Sequence, residues 1–385
     1  MDVQLKRRYT LAREKGLGES DQGRVIGAQK KLHGCDLGAL AGHVETWWDG
    51  IGMGVIETAT KPLDRLAEML GADMAAVNVQ IRARMASEHA PRIPEVTAHL
   101  VEAGGKRLRP ILTLAAARLC GYDGPYHVHL AATVEFIHTA TLLHDDVVDE
   151  SARRRGRPTA NLLWDNKSSV LVGDYLFARA FQLMIEAGSM RVLDILANAS
   201  AVIAEGEVLQ LTAAQDLATT EAVYLQVVRG KTAALFSAAC EVGGVVAGAS
   251  DVVTRALFDY GDALGIAFQI ADDLLDYGGS AAVIGKNTGD DFRERKLTLP
   301  VIKAVALASA QERAFWVRVI EKGQQQEGDL GRAVELMRQH GAMEAARADA
   351  FAWAARARAA LDAVPDHPLR AVLADLADYV VSRLT

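Results

Sequence analysis

Two short aspartate runs stand out for the chemistry their spacing permits: Asp145-Asp146-Val147-Val148-Asp149 and Asp272-Asp273-Leu274-Leu275-Asp276. At about 100° per residue, helical carboxylates four apart lie within about 40° of one another, one turn apart on one face. Such a pair repels itself unless a cation sits between. Hard Mg²⁺ suits it, taking oxygen from one or two carboxylates and the rest from phosphate and water. One run alone reads as a solvated helix end. Two runs in a mostly apolar chain instead predict facing clusters that hold several Mg²⁺ around one diphosphate. That arrangement shields the charge of a departing diphosphate, a Lewis-acid role. Gln269 extends the second face as an i, i+3, i+7 stripe with Asp272 and Asp276.

Metal-bearing carboxylates do not explain how a second, metal-free anion would be held. Gly104-Gly105-Lys106-Arg107-Leu108-Arg109-Pro110 offers three cations at a predicted helix start, and Arg153-Arg154-Arg155-Gly156-Arg157-Pro158 follows the first aspartate run. Arginine's forked donors fit phosphate oxygens, and a helix N-terminus adds a favourable dipole. Alone, each run is a solvated patch; beside paired acid clusters they read as an anion site. Gly230-Lys231-Thr232 falls within a helical pattern, where glycine costs about 1 kcal/mol relative to alanine. A kink there would turn a carbonyl and the Thr232 hydroxyl toward a cavity. Gly285-Lys286-Asn287-Thr288-Gly289-Asp290-Asp291, with Lys296 beyond, reads as a loop bringing two lysines after the second cluster.

The elements that must position these groups are helices. From about Ile56 the chain is rich in Ala and Leu, with stripes such as Leu63, Leu66, Met69, Leu70 and Leu369, Val372, Leu373, Leu376, Val380. Apolar residues three and four apart are what one buried helix face requires. Alternating β-branched runs closed by Asn-Gly or Asp-Gly turns are nearly absent. The prediction is an all-α domain over 56–385 of about ten or more helices. Residues 1–55, glycine-rich and without apolar period, are expected to be a flexible N-terminal extension. The net charge of −7 argues against nucleic acid as a partner, because phosphate backbones call for a basic face. Cys35, Cys120 and Cys240 form no Cys-x-x-Cys pair, which fits a reducing cytoplasm rather than a disulfide or zinc framework. The longest apolar stretches are broken by Asp174, Arg179 and Asp194, short of the roughly 20 residues a membrane span needs.

Together the motifs GGKRLRP, the His138–Asp149 stretch ending in DDVVD, RRGRPT, GKT, FQIADDLLD and GKNTGDD resemble the trans-isoprenyl diphosphate synthases. The likeness is strongest to the long-chain octaprenyl, solanesyl and decaprenyl synthases of quinone side chains, and it runs from about Val55 to the C-terminus. It implies the all-α isoprenoid synthase bundle around a central cavity, as a homodimer with Mg²⁺. By motif, Lys106, Arg109, His138 and Arg155 are expected to bind isopentenyl diphosphate. Arg154, Lys231, Lys286 and Lys296 are expected at the allylic diphosphate, with Thr232 and Gln269 stabilising the allylic cation. Asp145, Asp149 and Asp272 are expected to ligate the metal, while Asp146, Asp273 and Asp276 act through water or neighbouring side chains. The chain departs from the pattern in its first 55 residues and at Arg295, where the family often has glycine.

The resemblance also bears on product length. Ala140 and Thr141 stand five and four residues before Asp145, where short-chain enzymes tend to carry aromatics that block the tunnel for the growing tail. Small residues there imply a product of about eight to ten isoprene units, each buried methylene gaining about 0.8 kcal/mol. Two other readings share some of these features. A terpene cyclase generally lacks the second complete aspartate run and the GGKRLRP site, and a silent partner subunit usually has degraded aspartates.

Overall fold

The computed structural model describes residues 61–87, 89–102, 107–154, 156–278 and 289–384. The expected extension over residues 1–55 lies outside them. Among the described residues there are seventeen α-helices and one two-stranded hairpin, as the all-α reading anticipated. Backbone contacts gather Thr60–Thr385 into one unit.

In chain order, α1 (Pro62–Met69), α2 (Gly71–Met85) and α3 (Arg92–Glu102) lead into α4 (Leu108–Leu119) and the long α5 (Tyr126–Val148). The hairpin pairs β1 (Arg153–Arg154) with β2 (Arg157–Pro158) antiparallel, turning at Gly156 with φ +78°. Then follow α6 (Ala160–Leu163), α7 (Asn166–Glu186) and α8 (Met190–Ala213). Next, α9 (Glu221–Val228) runs without a break through a wide π turn (Arg229–Ala233) into α10 (Ala234–Val246). Helix α11 (Asp251–Gly278) carries the second aspartate run. After it come α12 (Asp290–Arg293), α13 (Leu299–Leu307), α14 (Ala310–Trp316), α15 (Asp329–Gln339), α16 (Ala342–Ala360) and α17 (Pro368–Ser382).

The sequence supplies their starts. Asp165, Ser189 and Thr220 cap α7, α8 and α9, each accepting from a backbone N–H three residues on. Ser309 and Glu312 close a reciprocal capping box on α14, satisfying donors that a helix start otherwise leaves unpaired. The C-terminal stripe Leu369, Val372, Leu373, Leu376 and Val380 is buried as expected. The first stripe is only half right. Leu66 and Leu70 are buried, but α1 ends at Met69, whose side chain is exposed. The helix breaks at Leu70, the C-cap of α1 with φ −113° and ψ 13°, so one stripe does not carry across.

The core runs along α5, α10 and α11, with Phe136, Phe236 and Tyr260 wholly buried. The Tyr260 hydroxyl donates to the Leu373 carbonyl at 2.9 Å and ties α11 to α17. Helix α8 meets the π turn glycine to glycine: a Cβ on Gly206 would lie 2.8 Å from the Gly230 Cα. No described helix is long and apolar enough to cross a membrane.

Candidate active site

The first aspartate run closes α5. Asp149 is the C-cap, its N–H donating to the Asp145 carbonyl at 2.8 Å, so both carboxylates keep the one-turn spacing. Asp146 turns the other way. It is wholly buried, and one of its carboxylate oxygens accepts from Arg154 Nε at 2.9 Å and Nη2 at 2.8 Å. The middle aspartate therefore fixes an arginine rather than facing solvent. Burial raises Asp145 to about 7, helped by the charges of Glu207 and Asp149 and opposed by Lys231 and Arg154.

The second run divides its labour differently. Asp273 is buried and accepts from Gln269 Nε2 at 2.8 Å and from the Tyr224 hydroxyl at 2.6 Å. The Gln269 contact is therefore to i+4, not along the expected stripe through Asp272. Asp276 accepts from the backbone N–H of Asp290 at 3.2 Å and of Asp291 at 3.0 Å, while its carbonyl accepts from Gly289 N at 2.8 Å. It thereby caps α12, and Gly289 supplies the left-handed φ of +82° that the return demands. Asp272 is half-buried beside them. Burial lifts Asp291 to about 7, with Asp276, Asp272 and Glu294 adding to the effect and Lys296 opposing it.

Two lysines stand near the first run and line a cavity with Asp273 of the second. Lys296 pairs with Glu294, feels the charges of both Asp291 and Asp149, and lines the same cavity as Asp273. Lys231, on the π turn, pairs with Glu207 of α8 at 2.9 Å and acts on Asp145. The π turn stands where the sequence predicts a kink, and the close approach of Gly206 explains why residue 230 is glycine. Thr232 donates from its hydroxyl to Gln269 Oε1 at 2.9 Å. Lys231, Thr232, Gln269, Asp273, Asp291 and Lys296 line one cavity of about 140 Å³.

Of the four residues expected around isopentenyl diphosphate, Arg109 and His138 meet, with Nη1 and Nε2 3.1 Å apart. The Arg109 guanidinium also lies over the Phe236 ring, 4.6 Å from its centre. Lys106 and Arg155, and Lys286 of the allylic set, lie outside the described residues. Ala140 is wholly buried in α5. Thr141 is half-buried, and its hydroxyl donates to the His138 carbonyl at 2.8 Å.

Glu207, Tyr224 and Asp291 are absent from the residues that spacing singled out. Asp291 had a signal, as the last residue of GKNTGDD. The other two had none, because each meets its partner only through the fold. The donor set fits a hard divalent cation: carboxylate oxygens from two helices, with cations beside rather than among them. Among the described residues no three carboxylate, imidazole or thiol groups converge closely enough to hold a metal alone. An anionic ligand's oxygens would complete such a site.

The family described as Polyprenyl synthetase matches residues 90–337. The octaprenyl diphosphate synthase of Escherichia coli (strain K12) is 44% identical over 321 residues, 83% of this chain and 99% of that protein. A solved decaprenyl diphosphate synthase from Rhodobacter capsulatus is 77% identical, covering 84% of this chain and 99% of its own, at a TM-score of 0.82. A polyprenyl synthase from Caulobacter crescentus CB15, solved with calcium and isoprenyl diphosphate, is 54% identical, covering 84% and 98%, at a TM-score of 0.80. The chain belongs to the polyprenyl synthetase family.

Proposed function

We propose that this chain is a Mg²⁺-dependent prenyltransferase adding successive isopentenyl diphosphate units to an allylic diphosphate such as farnesyl diphosphate. The product would be a long all-trans polyprenyl diphosphate of about eight to ten units, suited to a quinone side chain. The observation that carries the reading is the cavity where Asp273 of the second aspartate run meets Thr232, Gln269 and the two lysines, Lys231 and Lys296, whose charges bear on Asp145 and Asp149 of the first. The length is supported by the octaprenyl and decaprenyl synthases among its relatives and by the small side chains at Ala140 and Thr141.

In this reading Asp145, Asp149 and Asp272 hold Mg²⁺. The Caulobacter crescentus polyprenyl synthase, solved in complex with calcium and isoprenyl diphosphate, supports a divalent cation in this reading. The metal supplies positive charge that stabilises the leaving diphosphate. Arg154, Lys231, Lys286 and Lys296 bind that group and share the task. Lys106, Arg109, His138 and Arg155 bind isopentenyl diphosphate and aim its double bond. The allylic carbon–oxygen bond breaks with both electrons leaving on the diphosphate. The Thr232 and Gln269 oxygens then face the positive carbon chain. The isopentenyl π pair forms the new carbon–carbon bond, and the proton lost afterwards passes to the departed diphosphate. Positioning and fixed charge supply most of the acceleration.

A homodimer in the cytoplasm completes the proposal. The outer face of α7 exposes Val170, Leu171, Phe181 and Ile185, continued by Leu162 and Leu163 of α6, and an apolar patch of that kind suits a subunit interface. Sedimentation velocity reading twice the chain mass would support the dimer.

The test of function is incubation with farnesyl diphosphate, labelled isopentenyl diphosphate and Mg²⁺, followed by sizing of the dephosphorylated products. A ladder ending at about eight to ten units, stopped by EDTA and restored by Mg²⁺, is the expected result. A stop at three or four units would sink the length argument. No elongation at all would sink the enzyme.

A further inference from the structure

In the wall of the cavity, four side chains from three elements form one hydrogen-bonded line. The Tyr224 hydroxyl donates to Asp273 Oδ2, Gln269 Nε2 donates to Asp273 Oδ1, and the Thr232 hydroxyl donates to Gln269 Oε1, at 2.6, 2.8 and 2.9 Å. Both Tyr224 and Asp273 are buried, at 6% and 4% exposure. The buried end of this line is held from two sides, by the tyrosine hydroxyl and by the amide. The Gln269 amide gives its NH₂ end to Asp273, on the same α11, and leaves its oxygen as the end that accepts from Thr232. Its oxygen is thereby turned toward Thr232 and the cavity. Were the amide reversed, its NH₂ group would bring positive partial charge to the cavity side.

We infer that Tyr224 is a positioning residue for prenyl transfer: through Asp273 it fixes the Gln269 amide with its oxygen toward the carbon where positive charge develops. The inference rests on the prenyltransferase reading given above. Tyr224 reaches this place because α9 runs on through the π turn that carries Lys231 and Thr232, while Asp273 and Gln269 both belong to α11. One buried carboxylate therefore joins the helix bearing the lysine and threonine to the helix bearing the second aspartate run. The short hydrogen bond from the tyrosine hydroxyl occupies the Asp273 oxygen that Gln269 does not use, and so denies that carboxyl group the freedom to rotate. Removing only the hydroxyl leaves the ring's packing in place and releases that rotation.

The experiment is single-turnover measurement of the first addition, from farnesyl diphosphate and labelled isopentenyl diphosphate, which separates chemistry from product release. Tyr224→Phe is expected to slow that step about tenfold or more. The half-saturating concentrations of both diphosphates and of Mg²⁺ should stay within about twofold of wild type. In a Gln269→Met background, where no amide remains to orient, the same change should add nothing. A purely structural role for Tyr224 predicts the reverse: an equal further loss in both backgrounds, or weakened binding of every ligand. Either result overturns the inference. Should Tyr224→Phe not fold, Asp273→Asn serves instead, since asparagine can pair with either end of the amide. It should slow the chemical step at unchanged substrate half-saturation, and an unchanged rate overturns the proposal equally. Wild type is measured first. Its failure to elongate would defeat the prenyltransferase reading itself, whereas elongation by wild type with an indifferent Tyr224→Phe defeats only this inference.

Discussion

Asp146 and Arg154 are joined across eight residues of sequence by two hydrogen bonds to a single carboxylate oxygen, the aspartate having no exposed surface. The middle residue of the first aspartate run thus acts on the hairpin that follows it. Removing one member of a buried pair costs about 3–5 kcal/mol when the other charge is left stranded. The Arg154 side chain is 29% exposed, and solvent screening reduces that to about 2 kcal/mol. Arg154→Ala is therefore expected to lower the urea midpoint, whereas Asp149→Ala, at an exposed position, should leave it nearly unchanged. Equal shifts from the two variants would contradict the division of roles within this run.

The contact between Gly206 and Gly230 makes a second prediction. A Cβ on Gly206 would sit 2.8 Å from both the Gly230 Cα and the Lys231 N, and backbone atoms cannot yield as a flexible side chain can. Gly206→Ala should cost about 1–3 kcal/mol, the usual toll of overpacking. It should also displace Lys231 from Glu207, so activity is expected to fall more than at Gly331, where no atom crowds a new Cβ. Melting curves and turnover of Gly206→Ala and Gly331→Ala, measured together, check it.

Chain length gives the third. Ala140→Phe should shorten the product, but Ala140 is wholly buried. The ring must force its way into packed surroundings at about 1–3 kcal/mol. Thr141→Phe begins from a half-buried site and should be better tolerated. Product sizing by thin-layer chromatography, with a melting curve for each variant, separates the two effects. A stable Ala140→Phe enzyme giving full-length product would remove the argument from small residues before the first aspartate run.

The fourth concerns acid. Hydrogen bonds from Arg118 at 2.7 and 2.8 Å hold the Asp73 carboxyl below its ordinary value, against the opposing effect of burial, and His127 adds to the lowering. The folded value lies below the unfolded one of about 3.9. The stabilisation is therefore complete above that range and is lost as pH falls through the lowered value. Asp73→Asn should reduce stability at neutral pH, and the gap from wild type should narrow below about pH 4. Urea melts at stepped pH read this directly, and a gap that stays constant down to acid would contradict it.

Much of the site is legible in one dimension because its parts are local. Asp145 and Asp149 share a face by helical arithmetic alone, and Lys231 and Thr232 are flagged by a glycine inside a helix. The rest depends on partners distant in sequence. Nothing about Tyr224 in an apolar helix distinguishes it from core, since Asp273 lies forty-nine residues away. Glu207 likewise becomes informative only when α8 brings it to Lys231. Asp276 belongs to a motif that reads as metal-binding, yet its oxygens accept from the backbone of α12. The same four-letter spacing serves a cap as readily as a cation, and only the return of the chain at Gly289 distinguishes them. The stripe through Met69 fails for a simpler reason: helical periodicity gives no account of where a helix ends.

The π turn at Arg229–Ala233 carries a consequence for how such a site can change over generations. A wide turn of this kind is equivalent to a single residue inserted into an α-helix. Deleting one residue from it would restore regular winding and swing everything before it by about 100° relative to everything after. Tyr224 would then be carried off Asp273 while Phe236 kept its place in the core. A substitution along this helix leaves that register intact, whereas a change in its length breaks it, so the count of residues between Tyr224 and Lys231 matters as much as their identities.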